Sequence, residues 1–232
     1  MTRKWIVLFD WDGTLVDSLP VKIHNAGRLF QQAFGVPAEV IMQAYRRHSG
    51  VPRRQLFAAI CTEAGIPPLD DERYNRLSKS FTEMNLASLT RASPGDLLQP
   101  STTAALEALV RLGYPLYVSS SADTQEIRSL ARGLGLEGFF VDVLGSLPGF
   151  GKGEQHVRHV LEEQGASLDQ LVFVGDEPTD IALGRSAGVL TIAKTGTYSA
   201  ESLAEARADA IVDQLNELPA ILGDWEVTNR GA

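Results

Sequence analysis

The sequence predicts an α/β fold, a doubly wound parallel sheet interrupted by an all-α insert, and three observations carry that expectation. Short apolar runs bounded by turn residues recur along the chain, as buried parallel strands do. Amphipathic helical patterns separate the later runs, which makes βαβ units with helices on both faces of an open sheet. Residues 17–93 break this rhythm with four helical patterns and no convincing strand.

The first strand is "WIVLF" (5–9), five apolar residues that stop at Asp10. Helical patterns then cover 18–33, 37–48, 52–64 and 70–89, separated by "FGVP", "SGVP" and "GIPP", Gly/Pro breaks of the kind that end helices. Residues 101–112 place Leu106, Leu109 and Val110 on one stripe, with Ser101 as N-cap and Gly113 as the stop. The strands "PLYVSS" (115–120) and "FFVDVLG" (139–145) come next. A helix over 153–164 closes at Gly165, "LVFVG" (171–175) is the next strand, and a helix over 179–187 closes at Gly188. "VLTIA" (189–193) and "AIV" (210–212) complete the sheet, and the tail, 224–232, reads as frayed. The α/β core therefore comprises 1–16 and 94–232, and the helical insert 17–93.

The 232 residues suit one large domain with a smaller insert. A net charge of -8 argues against nucleic acid or an anionic membrane surface as partner. It also means that an anionic substrate would need a local cation. Cys61 is the only cysteine, so no internal disulfide forms and a reducing cytoplasm is the expected compartment. The apolar run after Arg3 and Lys4 falls short of a signal-peptide core, and nothing approaches the ~18 apolar residues of a membrane helix.

Ligands of open α/β sheets bind beyond the carboxyl ends of the strands, so the residues just past each apolar run carry the functional signal. Asp10 and Asp12 come after the first, and Ser119, Ser120 and Ser121 after the second. The loop "SLPGFGKG" with Lys152 comes after the third, and "GDEPTD" with Asp176 and Asp180 after the fourth. On an extended backbone, residues two apart face one side, about 6.5–7 Å apart at Cα, so Asp10 and Asp12 share a cavity while Trp11 points away. Gly13 allows a sharp exit, and Thr14 offers a hydroxyl. Four carboxylates in one pocket repel unless a cation neutralises them, and hard oxygen ligands with few protein carboxylates suit Mg²⁺. Phosphoryl transfer is the chemistry that fits. A carboxylate attacks phosphorus, the metal and Lys152 neutralise the equatorial oxygens, a serine hydroxyl binds one of them, and the second aspartate moves protons.

Each piece has a plainer explanation. A lone aspartate at a strand end is a turn former, "SSS" an N-cap, Lys152 a solvated lysine, and "GDEPTD" a helix start. Four such groups, each in the slot after a successive strand, are hard to obtain by accident.

These residues resemble a known family. "DWDGTLVDS" is similar to the DxDGT motif of haloacid dehalogenase-like hydrolases, and a Ser/Thr, a Lys and GDxxxD come after it in family order. The resemblance covers the whole chain, residues 17–93 resembling the helical C1 cap of the phosphoglycolate phosphatase and β-phosphoglucomutase branch. It implies a Rossmann-like core, with Asp10 as nucleophile and Asp12 as general acid/base. Mg²⁺ would be held by the Asp10 carboxylate, the Asp12 backbone carbonyl and Asp176, with Asp180 in support. The phosphate-binding hydroxyl is Ser119 or Ser120, with Ser120 preferred at the end of the strand, and Thr14 and Ser121 are expected beside the substrate. Lys152 departs from the family's Lys-Pro pattern by having Gly153 behind it. An aspartate at position 12 favours phosphate esters, whose leaving oxygen needs an acid.

The cap contact point is expected at "HSGVPRRQLF" (48–57), where Arg53 would grip a carboxylate or second phosphate of the substrate. His156 and His159, beside Arg158 and Glu162, read as a wet helix face. Cys61 reads as a buried small hydrophobe. The function expected is a Mg²⁺-dependent phosphatase acting on a small phosphorylated metabolite, in a monomer or homodimer. A phosphomutase using the same aspartyl phosphate is the alternative, since "GVPRR" resembles a mutase cap loop. A non-enzymatic phosphoacceptor or binding protein is remote, because such receivers place the acceptor after a middle strand and carry no cap.

Overall fold

The structure, a computed structural model, describes residues 4–229. Six strands form one parallel sheet in the order β3-β2-β1-β4-β5-β6. They are β1 (Ile6–Phe9), β2 (Leu116–Asp123), β3 (Asp142–Ser146), β4 (Leu171–Gly175), β5 (Leu190–Lys194) and β6 (Ala210–Val212). The helices, in chain order, are α1 (Leu19–Phe34), α2 (Ala38–Arg47), α3 (Arg53–Glu63), α4 (Asp71–Leu89), α5 (Pro94–Leu97), α6 (Pro100–Arg111), α7 (Thr124–Gly133), α8 (Glu154–Gln164), α9 (Pro178–Ala187), α10 (Ala200–Glu205) and α11 (Leu218–Asn229).

Strand β1 is central, pairing Val7 with Leu116 of β2 on one side and with Val172 of β4 on the other. Its residues alternate between the faces, and both faces are dry. Val7 and Phe9 pack with Val118, Val174 and Ile192, whereas Ile6 and Leu8 pack with Tyr117, Leu144 and Phe173. That double burial is why the strand is apolar throughout rather than alternating. The chain winds one way from β1 to β2 and β3, then returns to β4 on the other flank. The switch point, where loops diverge and leave a crevice, therefore lies at the carboxyl end of β1.

Helices α1 to α4 enclose an apolar cluster of their own. Phe30, Phe57 and Phe81 lie at its centre, with Phe57 edge-on to Phe30 at 5.1 Å and to Phe81 at 5.6 Å. Cys61 is buried in that cluster. The end of α4 joins the sheet's cluster instead, through Leu86 and Leu89.

Several boundaries differ from expectation for local reasons. Strand β3 begins at Asp142, because 137–139 form a 3₁₀ turn and Phe139 and Phe140 pack onto the core from outside the ladder. Strand β2 runs past the three serines to Asp123, which caps α7 by accepting from the Gln125 and Glu126 amides. Helix α6 starts at Pro100, so Ser101 lies inside its first turn and is not the cap. Val110 is 44% exposed, and Ala105 takes its place on the inner stripe. Residues 224–229 are not frayed but end α11. Trp225 packs edge-on against Trp5 at 6.1 Å, and the Trp5 indole N–H donates to the Leu222 carbonyl at 3.0 Å. Residues 230–232 of that expected tail lie outside the described residues. Among the described residues, no helix is long and apolar enough to cross a membrane.

Candidate active site

The loop leaving β1 is wound tightly. The Gly13 N–H donates to the Val16 carbonyl at 2.8 Å, and the Leu15 and Val16 amides both donate to the Trp11 carbonyl. Trp11 is buried in the sheet's apolar cluster, as expected, which leaves Asp10 and Asp12 facing the crevice. Gly13 is needed twice over. Its φ is +89°, and a Cβ there would fall 2.1 Å from Asp176 Oδ2.

Asp10 is 4% exposed. Lys152 Nζ bridges Asp10 Oδ1 and Asp180 Oδ1, at 2.5 Å from each. Burial penalises the ammonium, but these two carboxylates outweigh it and hold the Lys152 pKa above its ordinary value. Burial pushes the Asp10 pKa well up, opposed by Lys152 and reinforced by Asp180 and Asp176. Asp176 is pushed up to about 7, by burial first and then by Asp180. Thr14 donates its hydroxyl to Asp176 Oδ1 at 2.8 Å, so this residue, expected beside the substrate, faces the acid cluster. Asp180 takes part in a reciprocal cap at the start of α9, where its Oδ2 accepts from the Asp176 and Glu177 amides.

Asp10, Asp176 and Asp180 each offer a carboxylate oxygen within 4.8 Å of the others. Asp176 Oδ2 is buried beside Gly13 and meets no hydrogen bond of good geometry, although the nearby Thr197 hydroxyl favours its ionised form. Three buried carboxylates, one with an oxygen that lacks a good hydrogen bond, fit a hard divalent cation such as Mg²⁺. The Asp12 side chain is not in this group. It turns toward the helical insert, accepting from the Ser18 hydroxyl and from Lys22 Nζ at 2.7 Å.

The serines divide by strand alternation. Ser119 is paired with His156 Nδ1 at 2.8 Å, whereas the Ser120 hydroxyl accepts from the Ala122 amide at 3.0 Å at the site end of β2. Ser121 lines the crevice itself. His156 corrects the wet-face expectation. It is fully buried beside Val157 and Val160, its ring 4.6 Å from that of Phe150, and of the two histidines only His159 reaches solvent.

The crevice is a cavity of about 60 Å³ between sheet and insert, with Asp10, Asp12 and Lys152 on one wall and Lys22, Tyr45 and Arg53 on the other. Arg53 is held by Thr82 at 2.6 Å and by Glu126 at 2.8 Å, while its neighbour Arg54 pairs outward with Asp71. His48 pairs with Glu63 at 2.7 Å, away from the cavity. Three site groups escaped the reading of the sequence: Lys22, Glu126 and Glu177, all buried. Lys22 shares an inner stripe of α1 with Ala26 and Leu29, and a lysine on an apolar stripe was the available signal. Glu177 accepts from the Ser49 hydroxyl and ties the insert's 48–52 loop to the sheet.

Comparison with known proteins agrees with this geometry. Residues 6–188 match the family described as haloacid dehalogenase-like hydrolase. The chain is similar to the phosphoglycolate phosphatase of Rhodospirillum rubrum, 31% identical over 94% of this chain and 89% of that one. It is likewise similar to that of Pasteurella multocida, 26% identical over 96% of this chain and all of the other. Among solved structures, a haloacid dehalogenase-like family protein from Streptococcus pneumoniae superposes with a TM-score of 0.74 at 25% identity, over 95% of this chain and 99% of that one.

Proposed function

Because the chain belongs to the haloacid dehalogenase-like hydrolase family, we propose that it is a Mg²⁺-dependent phosphatase whose Asp10 carries the phosphoryl group of a small, acidic phosphate monoester. The observation that supports this most is the bridge of Lys152 between Asp10 and Asp180, beside the buried Asp176 carboxyl group. A lysine so buried has no surface role; beside Asp10 it opposes the burial and the neighbouring acids that raise the nucleophile's pKa.

Asp10, Asp176, Asp180 and the main-chain carbonyl of Asp12 would hold the cation. When bound, it neutralises the carboxylates and the incoming phosphate and draws charge from phosphorus. An Asp10 oxygen then attacks phosphorus, and the bond to the leaving oxygen breaks as Asp12 gives that oxygen a proton. Water next attacks the acyl phosphate and surrenders a proton to Asp12, which frees Asp10 and phosphate and returns Asp12 to its starting state. Lys152 and the Ser120 hydroxyl, with the Ser121 amide beside it, bind the equatorial oxygens. Thr14 acts one step back, orienting Asp176 through its hydrogen bond.

The far wall of the cavity sets the substrate class. The cavity is small, about 60 Å³, and the cations facing it from the insert are Arg53 and Lys22. A short carboxylate fits that combination, and relatives named phosphoglycolate phosphatase act on such a compound. Residues 17–93 serve as the lid that excludes water during transfer. The lone thiol, Cys61, is buried and suits a reducing cytoplasm.

Phosphate release measured across 2-phosphoglycolate, sugar phosphates and nucleotides with Mg²⁺ tests the reading. The smallest acidic ester should be preferred, and Asp10→Asn should lower turnover at least ~10³-fold and abolish acid-stable, alkali-labile phosphoenzyme. Full activity in Asp10→Asn would exclude the covalent route.

A further inference from the structure

The geometry points to Lys22 as the positioning residue for Asp12, clamping the proton-transfer carboxylate from the lid with Glu126 as its buried counterweight. This rests on the reading of Asp12 as general acid/base. Asp12 lies next to a cluster of three acids, and with no restraint its carboxylate would have many orientations to sample. Its two oxygens are instead both occupied, Oδ1 by the Ser18 hydroxyl and Oδ2 by Lys22 Nζ at 2.7 Å. Both partners belong to the segment that leaves the sheet for the lid. The carboxylate is thereby tied to the insert while still lining the cavity that Asp10 and Lys152 also line, within reach of the leaving oxygen of an ester attacked by Asp10.

Lys22 is itself located from behind. Its side chain is 4% exposed, and a second carboxylate, Glu126 on α7, stands 3.3 Å from Nζ. Glu126 is fully buried and is shared among three lid helices, taking Lys22 from α1, Arg53 from α3 at 2.8 Å and the Asn85 amide from α4 at 3.4 Å. Two cationic side chains, Lys22 and Arg53, face two carboxyl groups, Asp12 and Glu126, so the clamp orients Asp12 without placing a further acid beside Asp10. Buried ion pairs are more reliable as devices of geometry than as sources of stability, which suits an orienting role. The Lys22, Arg53 and Asn85 contacts cross from the insert to the sheet, whereas Ser18 lies in the connector, so Asp12 is clamped on both oxygens only when the lid is down. Proton transfer is then available only in a site already closed to water.

A pair of aryl esters that differ in the acidity of their leaving group separates this role from a structural one. Phenyl phosphate releases a phenol about as weakly acidic as tyrosine, near ~10, and needs a proton on its leaving oxygen. The far more acidic phenol of 4-nitrophenyl phosphate departs without one. General-acid help is worth ~10²–10⁴-fold. Lys22→Met should therefore lower kcat/KM for phenyl phosphate at least ~30-fold and for the nitrophenyl ester less than ~3-fold, and Lys22→Arg should recover most of the loss. In an Asp12→Asn background, Lys22→Met should add nothing on either ester. Equal losses on both esters, or an undiminished effect of Lys22→Met after Asp12→Asn, would overturn the positioning role. Should Lys22→Met prove unfolded by circular dichroism, Lys22→Gln and Lys22→Arg carry the same comparison. An Asp12→Asn variant that itself fails to distinguish the two esters would overturn the reading of Asp12, a separate outcome.

Discussion

His156 shows how one buried side chain links stability to pH. Its ring is enclosed by Phe150 and its Nδ1 meets Ser119, leaving no room for hydration of a charged imidazole. Burial lowers its pKa to about 4, with Lys152 nearby acting in the same direction. The unfolded chain takes up a proton near pH 6.5, whereas the folded chain resists until about 4. The stability this provides is complete above ~6.5 and is lost as pH falls toward 4, amounting to ~2–3 kcal/mol at pH 4.5. Urea unfolding at pH 7.5 and 4.5 should show a drop in the native protein that shrinks by that amount in His156→Gln; an identical drop in both would refute it. The same side chain marks the edge of legibility. Asp10, Lys152, Asp176 and Asp180 were legible because each comes soon after an apolar run, and polar groups at that place have few structural reasons to be there. His156 and Lys22 sit within helices, where charged neighbours such as Arg158 suggest solvent. Only their spacing from Val160 and from Ala26 and Leu29 betrays an inner face. Glu126 was out of reach, since nothing local foretells that three separate helices converge on it.

Between β1 and α1, the 11–16 loop sets the approach of two elements to each other. Gly13 rests on Asp176 with no space for a methyl group, and its positive φ would strain any other residue. Gly13→Ala must displace Asp176, Thr197 or both. We expect ~1–2 kcal/mol of lost stability from the backbone and a Mg²⁺ requirement raised at least ~10-fold. Mg²⁺ titrations of phosphate release would measure the second effect, and unchanged half-saturation would contradict the account. Element by element, β1, β2, β4 and β5 were readable because double-sided burial leaves no polar alternation to confuse with a helix. The failures came where tertiary packing overrules local texture. Phe139 and Phe140 look like strand but serve as plugs at the sheet edge, and α11 looks too mixed to hold until Trp225 meets Trp5.

Across the molecule, an apolar lid and an apolar sheet meet at the site through polar groups: Lys22 to Asp12 and Glu126, Arg53 to Glu126, and Ser49 to Glu177. Water can replace such contacts, whereas Leu86 and Leu89 pack the end of α4 against the core. The acid cluster beneath carries the opposite imbalance, because its carboxyl groups outnumber the one cation, Lys152, that bridges them. Asp176, with a pKa pushed up to about 7, is favourable to the fold when protonated and is a cost once ionised as pH rises through that value. Mg²⁺ should therefore stabilise the protein most at alkaline pH. At 100 times its Kd, linkage gives about 2.7 kcal/mol, or ~5–10 °C in Tm for a chain of this length. Asp176→Asn removes the burden and the ligand together. Scanning calorimetry at pH 8 should find its metal-free Tm equal to or above that of the native protein, with the Mg²⁺ shift almost gone. A native protein indifferent to Mg²⁺, or a variant that keeps the full shift, would show that the three aspartates do not form the metal site.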